Sequence, residues 1–464
     1  MIKRISIVFL LFICLEHKSQ NWDTVIGGHF SKQIEQVLYD SVYDKLLVSS
    51  KFMNHVGNLS VRGICQWDGV NWDSLSGGIN THSKALNPSN PQGVVLTSMP
   101  YNNKLLVGGF FSSIGYVNTT GFAIWDGVKW DSLPKRAFRQ GKSVVVSNFL
   151  KKGNLIYFTG RFDTIAGQPT NGIATWDGVN FNPILLPVDP NYQGITSIVE
   201  FQNEIYIAGG MFVGGKGDVL KFNGSNWVST TGGGFLGPYA GARQLIVYNN
   251  ELYAAGYFEM ANGNPGNNVI KWDGNQWHDV GFGTEGSYIA INKLLVYHNK
   301  LWVFGGFYQV ANSFTSNAAV FDGTSWCGLK DTLDNVIGSA AIYKDTIYVG
   351  GGFWKANSDS VPYFAKLSDA NLFYQCVNVV GVNDIEGLEE INVSPNPTDG
   401  ILNISDENNQ LQNSTIQIQD NIGQVVYSSQ FSTQIDLSDL SPGVYIIIIK
   451  SHYSSGVFKK IIKH

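Results

Sequence analysis

LLVGGFF at 105–111 and WDGVKW at 125–130 decide how this chain folds. The first is an apolar, strand-like run ending in two glycines and aromatic residues. The second follows about 14 residues later. Both recur along the chain. The first returns as LLVSSKF (46–52), IYFTGRF (156–162), IYIAGGM (205–211), LYAAGYF (252–258), LWVFGGF (301–307) and IYVGGGF (347–353), at intervals of 46 to 59 residues. The second returns as WDGVNW (67–72), WDGVNF (176–181), FNGSNW (222–227), WDGNQW (272–277) and FDGTSW (321–326), and it decays to LSDANL at 367–372. A fixed period of this length marks a repeat architecture.

Each repeat reads as four strands. In the second repeat they are VVLTSM (94–99), LLVGGF, GFAIW (121–125) and KWDSL (129–133), with YNNK and Asp126-Gly127 as turns. Asp-Gly suits a two-residue hairpin turn, which needs positive φ. The paired glycines permit a bulge or a close backbone approach. Four-stranded units of about 50 residues, seven in number, predict an all-β chain built as a seven-bladed β-propeller. Ring closure is expected from the N-terminus. Asn21-Trp22-Asp23 matches Asn71-Trp72-Asp73, so this segment is the expected outer strand of the seventh unit.

Composition agrees. Glycine is 52 of 464 residues, aromatic residues are 13% and charged residues only 14%, against about 25% charged in typical soluble chains. This excludes a disordered chain, a coiled coil and a helical bundle. With 31 basic and 36 acidic residues the net charge is −5, so nothing favours phosphate neutralisation, and no nucleic-acid partner is expected.

Residues 1–20 read as a signal peptide: Lys3 and Arg4 precede the apolar run 5–15. No later run is long enough to cross a bilayer as a helix, so no transmembrane segment is expected in the mature chain. Export permits disulfides. Cys327 and Cys376 fall at similar places in successive repeats and are a possible pair, whereas Cys65 reads as a buried thiol.

Residues 21–376 hold the repeats and resemble the kelch family, through the Gly-Gly after a hydrophobic strand and the spaced aromatic pair downstream. The WDG form is also similar to the propellers of cortical-marker proteins. Residues 377–390 read as a linker. Residues 391–464 change pattern to short strands with turn residues between, as in a small Ig-like β-sandwich. They resemble the type A C-terminal sorting domain of type IX secretion cargo. The matching residues are Pro395, Asn396, Pro397, Gly400, Leu402, Asp420, Gly423, Leu440, Gly443, Tyr445, Lys459 and Lys460. The resemblance implies export across both membranes of a Gram-negative cell, with the type IX machinery and a sortase-like peptidase as partners, and a cell-surface or extracellular destination.

Catalytic signatures are missing. The 8 histidines form no His-x-His or His-Glu-x-x-His pattern, no metal site or cofactor is expected, and no catalytic residue is assigned. The Asp and Gly of WDG are adjacent, unlike the Asp-x-Gly-x-x-Trp box of sialidase-like propellers. The repeated tryptophans read as packing between sheets. Aromatics that do not recur are the better ligand-binding candidates: Tyr116, Tyr308 and Trp354 between second and third strands, and Tyr239 between units. The longest connection, 77–93, adds His82 and Asn87, because variable loops on a rigid scaffold are where function sits. The reading is a non-enzymatic module that binds a glycan or a protein. The alternative is a secreted enzyme acting on polysaccharide or glycoconjugate.

Overall fold

The structure is a computed structural model. It describes residues 22–463 apart from 81–92, 134–136, 141–142, 187–193, 211–216, 233, 260–265, 281–283, 286–289, 312, 330–331, 358, 368–375, 379–390, 407–413, 420–424 and 452–453. The signal-peptide segment and most of the 77–93 connection therefore lie outside the described residues. Among those described, every regular element is a strand. The chain divides into two compact units, Met1–Cys376 and Val377–His464.

The first unit contains seven antiparallel sheets in chain order. The second sheet shows the pattern, with strands Val94–Tyr101, Lys104–Phe110, Phe122–Trp125 and Trp130–Asp131. The seventh differs. Ile337–Tyr343, Thr346–Gly351 and Phe364–Leu367 supply three strands, and Trp22–Thr24 supplies the fourth. Trp22 pairs with Leu367 as Trp130 pairs with Trp125. The expected N-terminal strand is thus in place. The sixth sheet carries a fifth strand, Cys376–Asn378.

Two turn types separate the strands, and the sequence reading exchanged them. The two-residue turns with both φ values positive lie between first and second strands, at Asn102-Asn103, Gln202-Asn203, Asn249-Asn250, His298-Asn299 and Lys344-Asp345. The WDG hairpin is instead a four-residue loop. Trp125 pairs with Trp130, and only Gly127 (φ 96°) is left-handed. Asp126 does different work: its Oδ1 accepts from Val128 N (2.9 Å) and Lys129 N (2.8 Å). The same side-chain oxygen does this at Asp68, Asp177, Asn223, Asp273 and Asp322. The aspartate holds the loop, and the glycine supplies its one unusual φ.

The repeated glycine has a measurable cause. In six sheets the leading strand bulges opposite it, at Leu96, Ser147, Thr196, Arg243, Asn292 and Gly338. A Cβ on Gly109, Gly160, Gly256, Gly305 or Gly351 would lie 2.1–2.2 Å from a carbonyl oxygen of the bulged strand. No side chain fits there.

Neighbouring sheets are sewn together by side chains. Outer-strand tryptophans reach the preceding sheet: Trp72 Nε1 donates to Ile26 O (3.1 Å), Trp277 to Thr230 Oγ1 (3.2 Å) and Trp326 to Val280 O (2.5 Å). Tyrosines ending the leading strands reach the following turn: Tyr248 Oη donates to Asn299 O (3.1 Å), Tyr297 to Asp345 O (2.8 Å) and Tyr343 to Asp44 O (3.0 Å). The last of these joins the seventh sheet to the first. The apolar clusters lie between sheets, as where Leu106 and Phe122 of the second pack with Phe149, Phe158 and Phe162 of the third. Burial of such aromatics is the main stabilising term.

In the second unit a three-stranded sheet, Ile391–Ser394, Ile401–Asp406 and Gln434–Asp436, shares one apolar cluster with a four-stranded sheet. Leu402, Ile404, Ile416, Ile418, Ile447 and Ile461 fill it. Alternation of these residues along each strand sets which face is buried.

Candidate functional site

The aromatic candidates stand on loops that are themselves ordered by pairing. In the second sheet, Ile79–Asn80 of the incoming connection pairs with the hairpin Ser113–Ile114 and Val117–Asn118. The same arrangement holds Ala137–Phe138 against Thr164–Ile165, and Thr284–Glu285 against Gln309–Val310. Connections and second-to-third-strand loops therefore share one end of the sheets. Tyr116 sits at the hairpin tip and is 93% exposed.

Tyr308 and Trp354 each follow the phenylalanine that ends the glycine motif, in consecutive sheets. Phe307 and Phe353 are buried, while Tyr308 and Trp354 are 51% and 55% exposed. Trp354 is held in place. Its N–H donates to Asp334 Oδ1 (2.7 Å), and its ring meets Tyr363 edge-on at 4.8 Å. Tyr239 falls within the strand Leu236–Tyr248 rather than in a connection, which corrects the sequence placement; the strand runs past the expected boundary because Leu236 pairs with Glu259. Its side chain, like His82 and Asn87, lies outside the described residues. The structure thus puts Tyr308 and Trp354 at matching positions of adjacent sheets and Tyr116 on a distant one.

A second set of polar side chains was not singled out from the sequence. It sits at the bulges of the leading strands. Ser147 Oγ donates to Ile195 O, Thr196 Oγ1 to Ala242 O (2.8 Å) and Asn292 Nδ2 to Ile337 O (2.9 Å). The residue after each bulge binds the next strand as well. Ser197 Oγ accepts from Leu245 N (3.0 Å), Gln244 Oε1 from Leu294 N (2.7 Å) and Ser339 Oγ from Val37 N (3.2 Å). The six bulges and the residues after them are Leu96-Thr97, Ser147-Asn148, Thr196-Ser197, Arg243-Gln244, Asn292-Lys293 and Gly338-Ser339. Two of the twelve are cations and none is an acid. Arg243 is exposed but hemmed by neighbouring strands, and Lys293 is half-buried. Desolvation lowers the pKa of both. Aligning the repeats on the glycine, rather than reading each for motifs, would have exposed this pair.

Recurring tryptophans are structural. Trp67–Trp72, Trp125–Trp130, Phe222–Trp227, Trp272–Trp277 and Phe321–Trp326 bring rings within 4.8–5.3 Å. Most are buried, and they offer no open platform. Cys65 is a buried free thiol whose pKa is pushed up by burial. Cys327 is disulfide-bonded, and the side chain of Cys376 lies outside the described residues. No group of three or more His, Cys, Asp or Glu suited to a metal occurs among the described residues.

The sorting-motif residues form a clasp in the second unit. Pro395, Asn396 and Pro397 are exposed, both prolines follow cis peptide bonds, and Asn396 Oδ1 accepts from Ile462 N (2.9 Å). Thr398 N donates to Ile462 O (2.8 Å). Gly400 is buried with φ 147°, and a Cβ there would lie 2.5 Å from Ser438 Oγ. Leu440 packs on the cluster that holds Leu402. Tyr445 is buried with its hydroxyl donating to Ser441 O (2.7 Å). Gly443 pairs with Lys463 on the last strand, Ser454–Lys463, which also carries Lys459 and Lys460. Asp420, Gly423 and the side chains of the two lysines lie outside the described residues. Motif residues near both ends of this unit thus fix one turn against the C-terminal strand.

Residues 392–464 match the family described as secretion system C-terminal sorting domain. No curated protein matches the chain significantly. Among solved structures, the extracellular domain assigned to a one-component system of B. thetaiotaomicron is 13% identical at a TM-score of 0.45, covering 95% of this chain and 53% of that one. The extracellular domain assigned to a hybrid two-component system, BT3049, of the same organism is 12% identical at 0.45, covering 96% and 57%. A fungal alcohol oxidase of the AA5 family is 12% identical at 0.39, covering 94% and 99%. The chain spans about half the length of the two bacterial structures, and likeness at these scores carries no functional argument. No helix among the described residues is long and apolar enough to cross a membrane. The C-terminal segment of this chain is a secretion-system sorting domain, which marks a protein exported by type IX secretion to the cell surface or the extracellular space.

Proposed function

We propose that residues 21–376 form a seven-bladed, kelch-like β-propeller that binds a glycan or protein outside the cell without catalysing a reaction. The supporting architecture is the succession of leading strands, each touching the next, with the seventh touching the first through Ser339 and Val37. The single observation behind the binding reading is the pair Tyr308 and Trp354. These are exposed aromatics at matching positions of adjacent sheets, where large apolar side chains are costly to leave in water unless a partner covers them.

Delivery follows from the tail. The signal segment takes the chain to the periplasm, the sorting domain engages the type IX machinery, and a sortase-like peptidase removes it. Pairing of Cys327 with Cys376 would fasten the last strand before the linker, since the strand beginning at Cys376 joins the sheet that holds Cys327.

The test is retention of the secreted protein on a panel of polysaccharides and glycoproteins, with products followed by mass spectrometry. Retention without product release, weakened at least about tenfold by Trp354→Ala, is expected. Released fragments would replace the binding reading with the enzyme reading.

A further inference from the structure

Arg243 and Lys293 are the only charges at the bulge positions described above, and they lie on adjacent strands, Leu236–Tyr248 and Ala290–Tyr297. Elsewhere these positions serve to tie strands together. Lys293 cannot do so as Ser197, Gln244 and Ser339 do, because an ammonium has no acceptor for the next strand's N–H. Arg243 also departs from the pattern: its Nη1 donates to the Asn292 side chain rather than to a backbone carbonyl. Asn292 is fixed in turn by its bond to Ile337 O. This leaves the Nε–Nη2 edge of the guanidinium free of that contact.

Two cations therefore stand side by side, with no carboxylate bonded to either among the described residues. The chain as a whole is net negative, so the absence of a counter-charge here is not a matter of supply. Desolvation disfavours both charges, and an anion drawn into the recess would offset that cost. A planar guanidinium edge matches the two coplanar oxygens of a carboxylate, and an ammonium adds a point charge beside them.

We propose that Arg243 and Lys293 form a binding site for the carboxylate of a small organic acid, with Asn292 positioning the arginine. The site is separate from the exposed aromatics, so it stands or falls independently of what Tyr308 and Trp354 bind.

The experiment is titration calorimetry on the secreted protein with glucuronate, acetate, sulfate and neutral glucose. Glucuronate binding is expected, with glucose silent. The affinity should fall at least about tenfold in Lys293→Met and in Arg243→Gln and should weaken with added salt. Binding of acetate equal to that of glucuronate would show that the carboxylate alone is read; stronger glucuronate binding would show that the sugar adds contacts. Either outcome upholds the site. Binding of sulfate but of neither carboxylate would overturn it, as would carboxylate binding unchanged in both variants or no binding at all. Should a variant fail to fold, labelling of the wild type decides. Glucuronate must slow acetylation of Lys293 relative to Lys151, an exposed lysine on another sheet, and an unchanged ratio rejects the proposal.

Discussion

The first sheet and the sixth are built from the same repeat and solve one geometric problem differently. In the sixth, Gly305 lets the leading strand bulge at Asn292, and Phe307 turns inward. In the first, Ser50 takes the glycine's place, and Gln36–Asp40 pairs with Lys45–Ser49 without a register shift. Ser50 Oγ instead donates to Gln33 O (2.5 Å). The chain then overshoots. Phe52 has φ 64° and is 37% exposed, and Met53 fills the buried place. The contrast shows what the glycine is for. It does not serve strand pairing, which proceeds without it. It allows the bulge that aims a side chain at the neighbouring strand.

The largest expected effect concerns where the first sheet meets the seventh. Deleting residues 21–30 removes Trp22 and Phe30, both buried, and the fourth strand of the seventh sheet. Trp22→Ala alone should cost about 3–5 kcal/mol. The deletion should lower the melting temperature more than any point change, and an unchanged melt would show that this strand is dispensable.

Next comes the glycine itself. Gly305→Ala places a Cβ 2.1 Å from Ala290 O, and should cost on the order of 3 kcal/mol. Ser50→Ala at the matching place loses one hydrogen bond, about 1 kcal/mol. Denaturant unfolding of the two variants side by side measures the difference. Equal costs would mean that the close approach does not set the sequence.

Much of this was legible in the chain. The seven copies, the strand order within each and the N-terminal strand follow from spacing, because each copy repeats the same local physics. The exchanged turn types show where local reading stops. Asp-Gly and Asn-Asn both favour tight turns, and strand register, which no single hairpin displays, decides which one is the two-residue turn. The sorting clasp was legible as a motif but not as geometry, since Asn396 and Ile462 are 66 residues apart. Arg243 and Lys293 were invisible for a related reason. A charge inside a strand looks like a solvent face until the neighbouring sheet is placed beside it.

The smallest expected effect is in the WDG loops, and it is acid-dependent. Asp273 is held down to about 2 by its hydrogen bond with His278 and by the N–H groups of Gln276 and Asn275. A carboxylate whose folded pKa lies below its unfolded value near 3.8 contributes its stabilisation in full above that value. The contribution is lost as the pH falls from there toward about 2. Asp68, Asp126 and Asp177 are shifted in the same direction by backbone N–H groups. The fourth sheet provides the internal control, because Asn223 makes the same two bonds, to Ser225 N and Asn226 N, with a group that does not titrate. Asp177→Asn should therefore leave the melting temperature at pH 7 nearly unchanged and reduce its fall between pH 4 and 2, since the amide oxygen keeps the loop while the proton-linked loss disappears. Asp177→Ala should lower the melting temperature at pH 7 and flatten the acid response equally. If both variants behave like the parent at every pH, the side-chain oxygen does not hold the loop, and the glycine alone shapes it.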